Sequence, residues 1–289
     1  VTTLSPSLHR MQLPREVIVG NNTLKFVGDL CQRLGFSESA FVVTGHTTLE
    51  IAGKKVMDLL EDSGINVSNV VVTSCNTEDI VLVEQRIDEF KPQVVLGIGG
   101  GTKIDVAKIS SAKKRVPFIS VPTTAAHDGI ASPLVSLKGL DKPYSVMAQS
   151  PMAIVADTSV IIKSPYRFTA SGCGDVVAKL TAVRDWRLAH EVKGEYYGEY
   201  AASLALMSAR LVVKNAALIR PGGEEGLRVL LEALISCGVA MSITGSSRPC
   251  SGSEHLFSHA LDRISSKPAL HGEQCGVGAI MMACLHKFN

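Results

Sequence analysis

Residues 94–108, VVLGIGGGTKIDVAK, decide the reading of this chain. A run of buried-strand type (94–98) ends in Gly99, Gly100 and Gly101, and a helical stretch (104–111) follows Thr102 and Lys103. Three successive glycines let a backbone come close to a pyrophosphate, while the free N–H groups and dipole of the following helix stabilise its charge. A tight turn alone would need one glycine, and three cost backbone entropy, so a dinucleotide is the expected occupant. The spacing is neither of the common fingerprints. Thr102 stands where the dinucleotide motif asks for its third glycine, and Lys103 does not follow the glycine that a nucleotide-triphosphate loop requires.

Working outward, β-branched runs at 16–19, 41–44, 67–73, 94–98 and 118–121 alternate with stretches of helical spacing: Leu24, Val27, Leu30, Leu34; Ile51, Val56, Leu59, Leu60; Ile80, Val83, Ile87, Phe90. Asn22 and Thr23 mark the first helix start, and Thr77, Glu78 and Asp79 the third. Strand, helix, strand in repetition predicts an α/β, Rossmann-like domain with a mostly parallel sheet, over residues 1–163. Runs at 134–137, 144–147 and 153–155, set among Pro and Gly, read as a hairpin or edge strand closing that sheet. From Ser164 the strand signal vanishes. Amphipathic stretches at 170–189, 200–219, 226–244, 254–264 and 272–286 predict an all-helical second domain, 164–289, with the active site in the cleft between the two. The stretch 276–285 is apolar on nearly every face and needs neighbours, so a second copy in a homo-oligomer or further residues are expected to cover it.

Composition narrows the function. Of 289 residues 46% are hydrophobic and 19% charged, which excludes an extended disordered chain. Twenty-nine basic against 27 acidic side chains give a net charge of +2, too little to hold nucleic acid or an anionic membrane. No run approaches about 18 uninterrupted apolar residues, so no membrane insertion is expected. The first residues lack a secretory pattern, and seven cysteines without a C-x-x-C pair read as reduced thiols; a cytosolic address follows.

Three further clusters bear on chemistry. Thr123, Thr124, Ala125, Ala126, His127 and Asp128 follow the fifth strand, where small and hydroxylated residues can line a nicotinamide ribose or the reacting ring; an ordinary Thr-rich loop is the plainer alternative. At the end of the second strand, where an acid would grip the 2′-hydroxyl of NAD and exclude NADP, stand Thr44, Gly45 and His46, so both cofactors are expected to bind. In the helical half, His255 and His259 lie four apart on one helix face and His271 opens the next helix. Such histidines can converge on a metal, and a catalytic zinc with two of them needs a carboxylate. Leu256 occupies the place of a zincin's glutamate, which excludes that class of protease. Asp175, set among small residues in SGCGD, is a candidate, against a plainer role at a helix N-terminus.

Taken together, GGGTKIDVAK (99–108), TTAAHDGIASP (123–133), SGCGD (171–175), SGSEHLFSH (251–259) and LHGEQ (270–274) resemble the sn-glycerol-1-phosphate dehydrogenase family. That family lies within the superfamily of iron-dependent alcohol dehydrogenases, glycerol dehydrogenases and dehydroquinate synthases. The resemblance implies zinc (Zn2+) held by Asp175, His255 and His271, with Asp128, Asp175 and His259 at the substrate. It implies NAD or NADP held by Gly99, Gly100, Gly101, Thr102, Lys103 and Asp105, with Thr123, Thr124, Ala125, Ala126 and Ser132. Iron-type alcohol dehydrogenases carry a further His four positions after the aspartate; Lys179 stands there, which favours the zinc, polyol-phosphate branch. The implied reaction is reduction of dihydroxyacetone phosphate to sn-glycerol 1-phosphate, at the start of archaeal ether-lipid synthesis. A polyol dehydrogenase and a dehydroquinate-synthase-like lyase are the alternatives. Family members usually run some tens of residues further at the C-terminus.

Overall fold

A computed structural model describes residues 9, 11–137 and 144–287. The first half lays down β1 (Glu16–Gly20), β2 (Ser39–Thr44), β3 (Asn66–Val71), β4 (Val94–Gly99) and β5 (Phe118–Pro122), then β6 (Leu134–Leu137), β7 (Tyr144–Met147) and β8 (Ala153–Asp157). Between them run α1 (Val27–Arg33), α2 (His46–Thr48), which passes through a π turn (Leu49–Gly53) into α3 (Lys54–Asp62), then α4 (Thr77–Phe90) and α5 (Gly101–Lys114), with α6 (Thr158–Ile161) after β8. One parallel sheet has the order β1-β8-β5-β4-β2-β3.

The apolar runs are continuous because both faces of the sheet are covered. With a period of two, Val43, Val95, Phe118 and Ile154 enter a core shared with the helical half. Val42, Leu96, Ile119 and Val155 enter a second core with α1 and α3. β2 leads to β3 on one side and β4 to β5 on the other, so the strand order reverses between the paired neighbours β2 and β4. A crevice at such a reversal, outside the carboxyl ends of the strands, is where open α/β sheets take ligands.

Two expectations for this half need correction. Residues 153–155 are not an edge: β8 pairs with β1 (Glu16↔Ala153) and β5 (Ile119↔Ala153), inside the sheet. All five residues of AIVAD are buried, which is the pattern of a strand covered on both faces. The hairpin is β6 with β7 alone, a separate antiparallel pair, and its connection (138–143) lies outside the described residues. At the first helix start Asn22 makes no side-chain cap; Asp157, at the end of β8, accepts from the N–H groups of Asn22 (3.0 Å) and Leu24 (3.1 Å) instead. The third start is capped by Asn76, whose Oδ1 accepts from Asp79 N at 2.8 Å.

The second half is helical: α7 (Tyr166–Val177), α8 (Lys179–Lys193), α9 (Glu199–Lys214), α10 (Glu224–Thr244), α11 (Ser253–Ile264) and α12 (His271–Leu285). The stretch 170–189, read as one helix, is two. The chain tightens at Ala178, whose carbonyl accepts from Thr181 N three residues on. Asp175 consequently sits in the last turn of α7, not in an opening turn, which removes the helix-dipole role at an N-terminus. Among the described residues α10 is the helix long and apolar enough to cross a membrane by length and composition, and it is mostly buried as core against α9 and α7. α12 packs on α7 and α11 and leaves Val277, Ile280 and Leu285 exposed.

Candidate active site

A cleft of about 1130 Å³ runs from the carboxyl ends of β2 and β3, past the glycine loop, to the histidines of α11 and α12. At the sheet end it is built from backbone. Gly100 is the extended residue before α5, so the N–H groups of Gly101 and Thr102 open the helix at the cleft wall, while that of Lys103 donates to Gly100 O at 3.0 Å. The following loop is tied to it: Thr123 N donates to Gly99 O at 3.0 Å. A β-carbon on Gly101 would collide with the imidazole of His127, whose Nδ1 accepts from Gly129 N at 3.0 Å. Gly100, Gly101, Thr102, Lys103, Asp105, Thr123, Thr124, Ala126 and Ser132 all line the cleft. Gly99 and Ala125 are not among its lining residues, and Ala125 is fully buried.

The other end is built from side chains. The donor atoms of Asp175, His255, His271 and Cys275 all lie within 4.8 Å of one another. Helix contact makes this possible: a β-carbon on Gly174 would strike the carbonyl of Gly272, and one on Gly272 would strike that of Ser171, so α7 and α12 touch backbone to backbone. Asp175 Oδ1 is 3.5 Å from His255 Nε2, and Cys275 Sγ is 3.5 Å from His271 Nε2. Zinc bonds of about 2.0–2.3 Å place tetrahedral neighbours about 3.3–3.8 Å apart. Two imidazoles and a carboxylate gathered within 4.8 Å fit a zinc ion.

Each donor is held from behind. His255 Nδ1 lies 2.8 Å from Glu254 Oε1, and Glu254 is itself fixed by Gly252 N (2.7 Å) and Thr181 Oγ1 (3.1 Å). Ser258 Oγ bridges His271 Nδ1 (3.2 Å) and Gln274 Oε1 (3.1 Å). Lys179, wholly buried, sets its ammonium 2.8 Å from Asp175 Oδ1 and 2.7 Å from Asp128 Oδ2, while Asp128 N donates to Asp175 Oδ2 at 2.8 Å. Burial alone would raise the Asp175 carboxyl, but Lys179 and His255 outweigh it and hold it well below the ordinary carboxylate range. Burial also lowers His271 strongly, with His255 adding to the shift. His259 stands outside the donor cluster. Its ring is 6.2 Å from that of His271, its Nδ1 is buried with no hydrogen-bond partner, and burial lowers its pKa.

The candidate residues thus line one cleft, except Gly99 and Ala125, which lie behind it, and Asp175, which sits beneath its wall. Cys275, Glu254, Ser258 and the ion pairing of Lys179 were not read from sequence. Cys275 had a signal, since it lies one helical turn after His271 on the same face. The others are ordinary polar residues whose partners come from distant helices.

Known proteins resemble the chain in both sequence and fold. The pattern of the iron-containing alcohol dehydrogenase family matches residues 18–165. A glycerol-1-phosphate dehydrogenase [NAD(P)+] from Methanosarcina acetivorans is 52% identical over 279 residues, 96% of this chain and 78% of the relative. One from Thermococcus kodakarensis is 54% identical over 282 residues, 96% of this chain and 80% of the relative. The crystal structure of glycerol dehydrogenase from Schizosaccharomyces pombe superposes with a TM-score of 0.82 at 21% identity, covering 97% of this chain and 73% of that one.

Proposed function

The chain belongs to the glycerol-1-phosphate dehydrogenase family, a branch of the iron-containing alcohol dehydrogenases, and on that footing we propose that it reduces dihydroxyacetone phosphate reversibly to sn-glycerol 1-phosphate with NAD(P)H and zinc. Residues 1–163 serve as the cofactor half and 164–289 as the metal and substrate half of a cytosolic homo-oligomer, whose exposed Val277, Ile280 and Leu285 face a second copy. One observation carries the reading. Asp175, His255 and His271 gather their donor atoms within 4.8 Å beside the same cleft that the glycine loop lines.

When bound, zinc supplies Lewis acidity at the ketone oxygen and the nicotinamide supplies the hydride. The chain's own residues do the rest. Glu254 fixes His255 through Nδ1 and leaves Nε2 toward the cluster; Ser258 does the same for His271. Lys179 places one ammonium between the carboxylates of Asp175 and Asp128 and offsets their charge. Asp128, held by that ammonium, is placed to hold a substrate hydroxyl. His259, which lines the cleft outside the donor cluster, is placed to pass the proton that the new alcohol needs. The first N–H groups of α5 hold the cofactor pyrophosphate.

The test is spectrophotometric. NADH or NADPH oxidation is followed with dihydroxyacetone phosphate and with dihydroxyacetone, before and after a chelator and then with added zinc. Oxidation in preference with the phosphate ester, abolished by chelator and restored by zinc, is expected. Equal turnover of the unphosphorylated ketone would point to a polyol dehydrogenase, and indifference to chelator would remove zinc from the mechanism.

A further inference from the structure

Lys103 crosses the cleft floor where the adenosine ribose of a dinucleotide would lie. In doubly wound folds the strand beside the glycine-loop strand ends in an acid that holds the 2′-hydroxyl. Here β2 is that neighbour of β4, and it ends at Thr44 followed by Gly45. Gly45 has no side chain to offer, and a β-carbon there would collide with Lys103 Cε. The lysine stem thus fills the position that an acidic side chain would occupy. Its Nζ reaches the end of β3, donating to Thr73 O at 2.9 Å.

No carboxylate of the described cleft lining pairs with that cation. The carboxylates among the described lining residues are Asp105, Asp128 and Asp262. Asp105 pairs with Lys108, Asp128 with Lys179, and Asp262 lies at the metal end, where its Oδ1 accepts from Gln274. Asp79, the carboxylate that acts on Lys103, turns its Oδ2 into the N–H groups of Thr73 (3.0 Å) and Ser74 (2.7 Å). Beside Lys103 the ends of β2 and β3 bring Gly45, His46, Thr48, Thr73 and Cys75 to the wall, none of them a carboxylate.

We propose that Lys103 is a specificity determinant for the cofactor: its ammonium receives the 2′-phosphate of NADP(H), at the place where an acid would have refused it. The inference rests on the dinucleotide reading of the glycine loop. A lysine that only straps α5 to β3 through Thr73 would support both cofactors equally; one that contacts the pyrophosphate would do the same. A cation at the 2′ position acts on one of them.

The experiment measures dissociation constants of NADPH and NADH by fluorescence titration for the wild type, Lys103→Met and Lys103→Arg, with thermal melting of each. The ratio of NADPH to NADH affinity is expected to fall about ten- to hundredfold in Lys103→Met, the size of a lost charge-assisted contact, and to recover in Lys103→Arg. In the wild type the same ratio should fall as salt rises, a measurement that needs no variant to fold. An unchanged ratio in Lys103→Met, or a salt-independent ratio in the wild type, overturns the assignment. A wild type that binds neither nucleotide overturns the dinucleotide reading along with it.

Discussion

The two ends of the cleft are built from different parts of the chain. At the sheet end the proposed binding groups are main-chain N–H donors at the start of α5, and the missing side chains of Gly99 and Gly101 leave space that Lys103 and His127 fill. At the helical end the groups are side chains from α7, α11 and α12, each held by a second polar residue. One end should fail when atoms are taken away, and the other when atoms are added.

The sharpest break is at the helical end. His255→Ala removes a donor that Glu254 has oriented, and is expected to lose bound zinc and at least about a thousandfold in turnover, since Lewis-acid stabilisation supplies several kcal/mol. His259→Ala should keep stoichiometric metal while turnover falls, because His259 lies outside the donor cluster. Metal analysis beside kcat checks both. Full zinc in His255→Ala would dissolve the donor set.

Lys179 tests the support beneath that set. Its wholly buried ammonium faces two carboxylates at 2.7 and 2.8 Å, so Lys179→Met takes that cation from Asp128 and leaves Asp175 with His255 alone. Removing one partner of a buried charge cluster costs about 3–5 kcal/mol, which denaturant unfolding of the metal-free protein would measure. A loss below about 1 kcal/mol would mean that water, not Lys179, balances those charges.

These two ends also differ in how far they could be read from sequence. The sheet end is local: a strand, a glycine turn and a helix follow one another in fifteen residues, and their periodicities change from two to 3.6 within the segment. The i, i+4 spacing of His255 and His259 is local too. Which histidine joins the donors is not, because it depends on where α12 crosses α11, and the glycine contact of α7 with α12 has no periodicity to reveal it. The same holds for β8. Its five residues announce a covered strand, but its place between β1 and β5 is set by a connection that spans most of the first half. Lys179, four residues after Asp175, showed its position but not its second partner, Asp128, which arrives from the loop after β5.

The sheet end supplies the gentlest contrast, a pair of adjacent residues. Gly101→Ala would press a methyl group into the ring of His127, which is pinned by Gly129 N, and overpacking of about 1–3 kcal/mol should weaken dinucleotide binding roughly ten- to hundredfold. Thr102→Ala removes a hydroxyl and a methyl but keeps the N–H that opens α5, so NADH and NADPH affinities should change by less than about threefold, within the ordinary range for a substitution that leaves the backbone alone. Titration of both nucleotides into both variants is sufficient. If Thr102→Ala proved the more damaging, the loop would be gripping its ligand through the hydroxyl. The distinction between an end made of backbone and an end made of side chains would then fail at the point where it predicts the least.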